Sequence, residues 1–126
     1  MVVWTHSSER ATLYQGDVLH DLKELHGTMD AVYDKDSFGA LDKELRKPLC
    51  ERMHAYLRPG GTVYIEVKNK PEGPGRLQGP PYHVEKSDLL EAFEGFEYIC
   101  SLGKVYELSL PGMSQMGHIL KRVAKK

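Results

Sequence analysis

Three segments of this chain place residues capable of chemistry directly after a short apolar run. The segments are Gly16–Val18, Tyr33–Lys35 and Lys68–Asn69. Apolar runs rich in β-branched and aromatic residues and bounded by turn residues predict strands. Ligands of open parallel sheets bind at the carboxyl ends of the strands. We therefore expect the three segments to share one edge of a sheet and to form a binding site there.

Strands and helices alternate in the sequence around these segments. The apolar spacing of "LDKELRKPLCERMHAYL" predicts a helix, which we expect to begin at Pro48 because proline is tolerated in a first turn. A second helix is expected from Ser87, and a bent strand with a bulge at Gly103 should pair with the last strand. Strands are expected over 11–15, 28–34, 62–68 and 116–124. This order predicts an α/β fold with a mostly parallel sheet, a C-terminal antiparallel hairpin and a single domain, 1–126.

The segment 69–82 is the compositional outlier of the chain. It holds four prolines and three glycines in fourteen residues, which excludes regular secondary structure. A loop of this length within a compact domain is usually functional or disordered. The residues alone leave both open, a lid over a substrate or a disordered connector.

Composition excludes several other classes of function. The chain has 126 residues, with 17 basic and 18 acidic side chains, so no general basic face for nucleic acid is expected. Cys50 and Cys100 have apolar neighbours and no metal-ligand spacing, which predicts buried thiols, and the histidines form no zinc motif. No apolar run approaches the roughly 20 residues of a membrane span. We expect a cytoplasmic protein that binds neither metal, membrane nor nucleic acid.

Four segments together resemble a known family. "YQGDVLHDL", "MDAVYDKDSFGAL", "LRPGGTVYIEV" and "GPPYHVEKSDLLEAF" are similar, in order and spacing, to the C-terminal part of thiopurine methyltransferase-like proteins. These belong to the class I, S-adenosylmethionine-dependent methyltransferases and include thiol and halide methyltransferases. The resemblance covers roughly residues 11 to 96. It implies a Rossmann-like fold and methyl transfer from S-adenosylmethionine to a small, soft nucleophile.

The resemblance also implies a role for each matching position. Asp17 and Val18 correspond to the segment that holds the adenine of the cofactor, and Tyr33 and Asp34 to the strand end beside its methionyl-sulfonium part. Lys35 matches a position that is commonly arginine and faces the acceptor, so Asp34 and Lys35 are the implied catalytic residues. The implied acceptor-binding residues are Lys35, Phe38, Pro80, Pro81 and Tyr82.

One family motif is missing. Class I methyltransferases begin with a strand and a glycine-rich GxGxG turn, and residues 1–10, "MVVWTHSSER", contain no glycine. We therefore expect a sheet without its first βαβ unit, an exposed sheet edge and weak cofactor binding. Three alternatives follow: a fragment of a longer enzyme, a half-fold completed by another chain or by self-association, or a relative without activity. A non-catalytic binding or assembly module is the rival function.

Overall fold

Residues 1–109 and 111–125 form a four-stranded sheet, three α-helices and a separate two-stranded hairpin. The computed structural model describes residues 1–109 and 111–125. The strands are β1 (Val2–Thr5), β2 (Thr12–Gln15), β3 (Met29–Lys35), β4 (Leu57–Asn69), β5 (Phe96–Glu107) and β6 (Ser114–Arg122). The helices are α1 (Ser37–Ala40), α2 (Lys43–Tyr56) and α3 (Lys86–Ala92), and a 3₁₀ turn spans Lys23–Leu25.

The main sheet has the strand order β3-β4-β6-β5. β3 and β4 are parallel, whereas β6 is antiparallel to both β4 and β5. The expected α/β architecture and its C-terminal antiparallel hairpin are therefore confirmed. So is the bend in β5, where Gly103 adopts φ +69° beside a shift in the pairing register.

The core lies between one face of the sheet and helices α2 and α3. Alternate residues of β4, namely Val63, Ile65 and Val67, are fully buried, as the two-residue period of a strand requires when one face is covered. Helix α2 contributes Leu49 and Met53. The remaining buried apolar residues complete this single cluster: Phe38, Cys50, Leu57, Val84, Leu89, Ala92, Phe93 and Leu120.

The first predicted strand does not join the main sheet. β2 pairs instead with β1 as an antiparallel hairpin, from Val2↔Gln15 to Thr5↔Thr12. The β-branched and aromatic run Val2–Thr5 explains this pairing, because it supplies a strand partner close in sequence. The expectation that three strand ends share one edge is thus wrong for the first of them, since only β3 and β4 are parallel neighbours.

Helix α2 begins earlier than expected. It runs unbroken from Lys43, with Pro48 as its sixth residue. A proline there removes one hydrogen bond, to the carbonyl of Glu44, and Glu44 is exposed so that water can satisfy that group. The inward face of the helix includes a charged residue, Arg46, which the apolar spacing did not reveal.

Candidate functional site

A groove of about 230 Å³ lies beside the carboxyl end of β3. It brings together three of the residues predicted to bind the cofactor, Val18, Tyr33 and Asp34. Its other lining residues are mainly apolar side chains of α2 and β3: Val32, Ser37, Leu49, Arg52, Met53 and Tyr56. A flat apolar ligand with a polar group directed at Asp34 would suit this lining.

A second cavity, of about 220 Å³, adjoins the groove and shares Val18 and Tyr56 with it. Asp17 borders this second cavity. One Asp17 carboxylate oxygen accepts a hydrogen bond from the amide of Leu19 at 2.9 Å, which stabilises the turn after β2. Although β2 lies outside the main sheet, the turn still carries Val18 to the groove and Asp17 to the adjoining cavity.

Asp34 is the most enclosed polar group of the groove. Its side chain is buried, and Oδ2 accepts a hydrogen bond from the amide of Phe38 at 3.1 Å. Burial raises the pKa of Asp34 above its ordinary value, while the backbone amides of Phe38 and Ser37 oppose that shift. The carboxyl group therefore faces the groove from a site where its charge is costly, and a cation nearby would relieve that cost.

Lys35 projects from the other face of β3, as the alternation of a strand dictates. Its Nζ lies 5.1 Å from the ring centroid of Tyr106. The proximity of the Tyr106 side chain raises the pKa of Lys35, so the amine stays charged at neutral pH. On the same face the ring of Tyr33 stacks on Tyr64 at 5.4 Å and its hydroxyl donates to Glu66 Oε2 at 2.9 Å.

The predicted acceptor-binding residues occupy different places. Phe38 is 0% exposed and packs against Phe93, so its side chain presents no surface to an acceptor. Pro80 and Pro81 are exposed. Tyr82 lies against the start of α2, where its hydroxyl donates to Asp42 at 2.7 Å. Tyr82 thus lines a cavity with Asp42, whereas Val18, Tyr33 and Asp34 line the groove.

The proline- and glycine-rich segment 69–82, here called the Pro/Gly loop, is held to the fold by hydrogen bonds of His83. His83 Nδ1 accepts a hydrogen bond from the amide of Lys70 at 2.8 Å, which leaves Nε2 to donate to Glu85 at 3.0 Å. Arg76 also donates to Glu85, at 2.9 Å. These hydrogen bonds lower the pKa of Glu85. The bond with His83 has the largest effect, and the bond with Arg76 has the next largest. These contacts argue against a disordered connector, and the lid over a substrate stays a prediction.

Sequence reasoning missed a partly buried polar network at the ends of three strands. Lys68 donates to both carboxylate oxygens of Asp36 at 3.0 Å and to Gln115 Oε1 at 2.6 Å. Gln115 Nε2 in turn donates to Asp36 Oδ1 at 3.0 Å. Asp36 also adopts a left-handed φ of +68°, which is uncommon for a residue other than glycine. The sequence shows the charged residues that follow β3. It does not show that one of them, Asp36, pairs with Gln115 of β6.

The sequence predicts neither a metal site nor a membrane-spanning helix, and residues 1–109 and 111–125 bear on both. No group of three or more potential metal ligands occurs there. No helix in these ranges combines the length and the apolar character needed to cross a bilayer. Cys50 is buried as expected, and burial raises the pKa of its thiol, but Cys100 is exposed on β5. The expectation of two buried thiols is therefore wrong for Cys100, which lies on β5, an edge strand of the main sheet.

Comparison with known families decides the relationship. The family model for thiopurine S-methyltransferase matches residues 2–115. The chain belongs to the thiopurine S-methyltransferase family. Curated members of the family include the thiopurine S-methyltransferases of Vibrio campbellii, 32% identical over 71 residues, and of Vibrio cholerae, 28% identical over 99 residues. These matches cover 56% and 79% of this chain but only 32% and 41% of the relatives. The chain thus spans less than half the length of these family members.

Solved structures place the family fold among the class I methyltransferases. A methyltransferase from Methanosarcina mazei matches 87% of this chain and 66% of its own, with a TM-score of 0.64 at 11% identity. The Burkholderia thailandensis 1,6-didemethyltoxoflavin-N1-methyltransferase, solved with S-adenosylhomocysteine, matches 78% of this chain and 45% of its own. Its TM-score is 0.60 at 20% identity. At identities this low, the structural likeness establishes the fold alone. The expected class I architecture is confirmed.

Proposed function

We propose that this member of the thiopurine S-methyltransferase family takes part in methyl transfer from S-adenosylmethionine to a small, soft nucleophile. A thiol, a thiopurine or a halide would have this chemistry. The observation that carries the proposal is the groove in which Val18, Tyr33 and Asp34 meet beside the end of β3. A position at the carboxyl end of a parallel strand is where ligands of such sheets bind.

The residues of the groove suit the adenosyl part of the cofactor. The groove and its neighbour together offer about 450 Å³ (230 plus 220), within the range of small-molecule pockets. Val18 supplies an apolar wall for a flat base, and the second oxygen of Asp17 is available to accept from an exocyclic amine. Asp34 and Tyr33 would lie nearest the methionyl part. When bound, S-adenosylmethionine supplies an electrophilic methyl group on a positively charged sulfur.

The chain's own groups contribute charge and shape to that reaction. The buried Asp34 carboxylate favours a cation at the groove, because a nearby positive charge offsets its desolvation. Lys35 holds a positive charge on the other face of the same strand end and can attract an anionic acceptor. A thiolate or halide arrives already charged, so proximity and orientation matter more than an acid or a base. The exposed Pro80–Tyr82 segment would limit water at the acceptor if it moved toward Lys35.

The family's GxGxG turn, which receives the amino-acid end of the cofactor, has no counterpart in residues 1–10. Affinity for cofactor should therefore be lower than a complete site would give. It should nevertheless be measurable, because the contacts assigned to the adenosyl part remain. A non-catalytic module on the same half-fold would show no such affinity.

Calorimetric titration of the chain with S-adenosylhomocysteine tests the proposal. We expect a dissociation constant in the micromolar range, and Asp34→Ala should weaken it by about tenfold, the loss of one charge interaction. Asp30→Ala serves as the matched control, since Asp30 lies at the opposite end of β3 and its side chain is 84% exposed. Absence of heat at millimolar ligand would refute the methyltransferase role for this chain and leave the non-catalytic module.

A further inference from the structure

Arg46 is a buried arginine without an acidic partner among the described residues. Its side chain projects inward from α2 and the residue is 7% exposed. Nε is buried and makes no hydrogen bond, and within residues 1–109 and 111–125 no ion pair engages the guanidinium. A guanidinium keeps its charge in proteins, so it cannot escape the cost of burial by losing a proton. An anion bound beside the guanidinium would offset this cost of burial.

Two aromatic rings hold the guanidinium in place. Its central carbon lies 5.0 Å from the ring centroid of Phe38 and 5.8 Å from that of Tyr82. Rings at these distances attract the cation through their electron-rich faces but accept none of its N–H groups as a carboxylate would. They therefore fix its position while leaving its hydrogen-bonding capacity unused.

Arg46 borders a cavity on each side. One, of about 360 Å³, lies between α2 and α3; the other, of about 390 Å³, lies between the start of α2 and the Pro/Gly loop. The first is lined by Lys43, Glu44, Arg46, Lys47, Asp88, Glu91 and Ala92, and the second by Asp42, Lys43, Glu44, Arg46, Leu77, Tyr82, His83 and Asp88. Both are distinct from the groove beside β3.

The acids that line these cavities have other partners or face solvent. Asp42 accepts from the Tyr82 hydroxyl, and Asp88 accepts from the amide of Glu85 at 2.8 Å, where it caps α3. Glu91 lies 3.6 Å from Lys43, and Glu44 is exposed. None of them neutralises Arg46. Their charges do, however, oppose any ligand with more than one negative charge.

We propose that Arg46 anchors a small carboxylate-bearing ligand in these cavities. A carboxylate matches the planar fork of a guanidinium and can accept two parallel N–H bonds from it. It carries a single negative charge, which Lys43 and Lys47 favour and which Glu44 and Asp88 oppose less than they would a phosphate dianion. The site does not depend on methyl transfer, and a failure to bind S-adenosylhomocysteine would leave it untouched.

Thermal unfolding of the full chain in sodium acetate tests this site, with sodium chloride of equal ionic strength as the reference. A ligand that binds only the folded state raises Tm as its concentration rises. We expect acetate to raise the Tm of the wild type and of Arg58→Met, a control at an exposed arginine that lines neither cavity. Arg46→Met should lose the acetate-dependent rise completely.

A second measurement on the unaltered protein covers the case in which Arg46→Met does not fold. The ¹H–¹⁵N resonance of the Arg46 Nε–H group should move with acetate and reach a plateau. A resonance that does not move, an acetate response retained by Arg46→Met, or saturable binding of phosphate without binding of acetate would each overturn the proposal.

Discussion

At the scale of single residues, Asp34 combines a stabilising contact with a costly environment. The Phe38 amide binds its carboxylate at the start of α1, while burial disfavours the charge and raises its pKa. A neutral amide of the same shape would keep the contact, through its carbonyl oxygen, and avoid most of the cost. The stability of the fold therefore does not explain the carboxylate, and a ligand-binding role for Asp34 stays a prediction.

We predict that Asp34→Asn raises the free energy of unfolding at pH 7 by about 1 kcal/mol, a typical single-residue effect. The native pKa of Asp34 lies above the unfolded value of 3.8, so between the two values only the native state retains the proton. Wild-type stability from this group is therefore complete below pH 3.8 and falls as pH rises through the native pKa. Urea unfolding at several pH values should show the variant's advantage growing with pH. A constant difference would contradict this account.

Gly61 is a second residue whose identity is set by its surroundings. A Cβ added there would lie 2.8 Å from Leu57 Cδ2 and 2.9 Å from the carbonyl oxygen of Arg58. The backbone oxygen cannot move aside as a flexible side chain would. The glycine therefore permits the tight bulge of β4 between Leu57 and Thr62, over which β3 advances only from Met29 to Ala31.

Gly61→Ala should lower the free energy of unfolding by about 1–3 kcal/mol, the usual cost of overpacking. Gly39→Ala is the matched control, because a Cβ on that residue of α1 meets its nearest atoms at 3.8 Å. The control should stay within about 0.5 kcal/mol of the wild type. Denaturant-induced unfolding of both variants gives their free energies of unfolding. Equal values for Gly61→Ala and Gly39→Ala would refute the steric explanation.

At the scale of elements, His83 connects one end of the Pro/Gly loop to the residue before α3. Its ring joins the amide of Lys70, at one end of the loop, to Glu85, just before α3. The side chain is almost wholly enclosed. Removing the ring would release the backbone of Lys70, while the Arg76–Glu85 and Tyr82–Asp42 hydrogen bonds would remain as anchors of the loop.

His83→Ala should therefore speed tryptic cleavage between Arg76 and Leu77 severalfold, because proteolysis follows local opening. His20→Ala is the control, since His20 is an exposed histidine outside the loop. Cleavage sites and rates can be read by mass spectrometry over a time course. An unchanged rate in His83→Ala would show that the prolines alone order the loop.

At the scale of the whole molecule, the hairpin and the open edge of β3 expose apolar surface. Val2, Val3, Trp4 and Leu13 of the hairpin are each about half exposed or more. β3 ends the main sheet, so one row of its backbone groups has no strand partner among the described residues. Exposed edges and apolar patches of this kind promote association.

We predict concentration-dependent self-association through the hairpin. Trp4 is the sole tryptophan and is 59% exposed, so its fluorescence should shift to shorter wavelength as protein concentration rises. Trp4→Thr should reduce the mass measured by light scattering, whereas Leu90→Thr, at an exposed apolar site on α3, should not. A stable monomer at all concentrations would contradict this expectation.

How far the sequence predicts this molecule depends on the distance over which its residues interact. The bulge at Gly103 and the short helix before Phe93 follow from local spacing, and the structure confirms both. The pairing of β1 with β2, and of Gln115 with Asp36, depends on contacts that no local pattern records. The alternation of side chains along a strand predicts that Asp34 and Lys35 lie on opposite faces of β3. The family resemblance nevertheless led us to assign both to one catalytic site. Phe38 was assigned to the acceptor, yet a one-turn helix directs it into the core.

The position of β6 has a consequence for synthesis. Although β6 is the last strand in the chain, it lies between β4 and β5 and pairs with both. A ribosome therefore releases β4 and β5 before the strand that joins them exists, and Gln115 reaches Asp36 only after 78 intervening residues have been made. Until then both strands carry open edges. Nascent chains of this protein should accordingly depend on chaperones until β6 has been synthesised, because exposed strand edges and apolar surface favour aggregation.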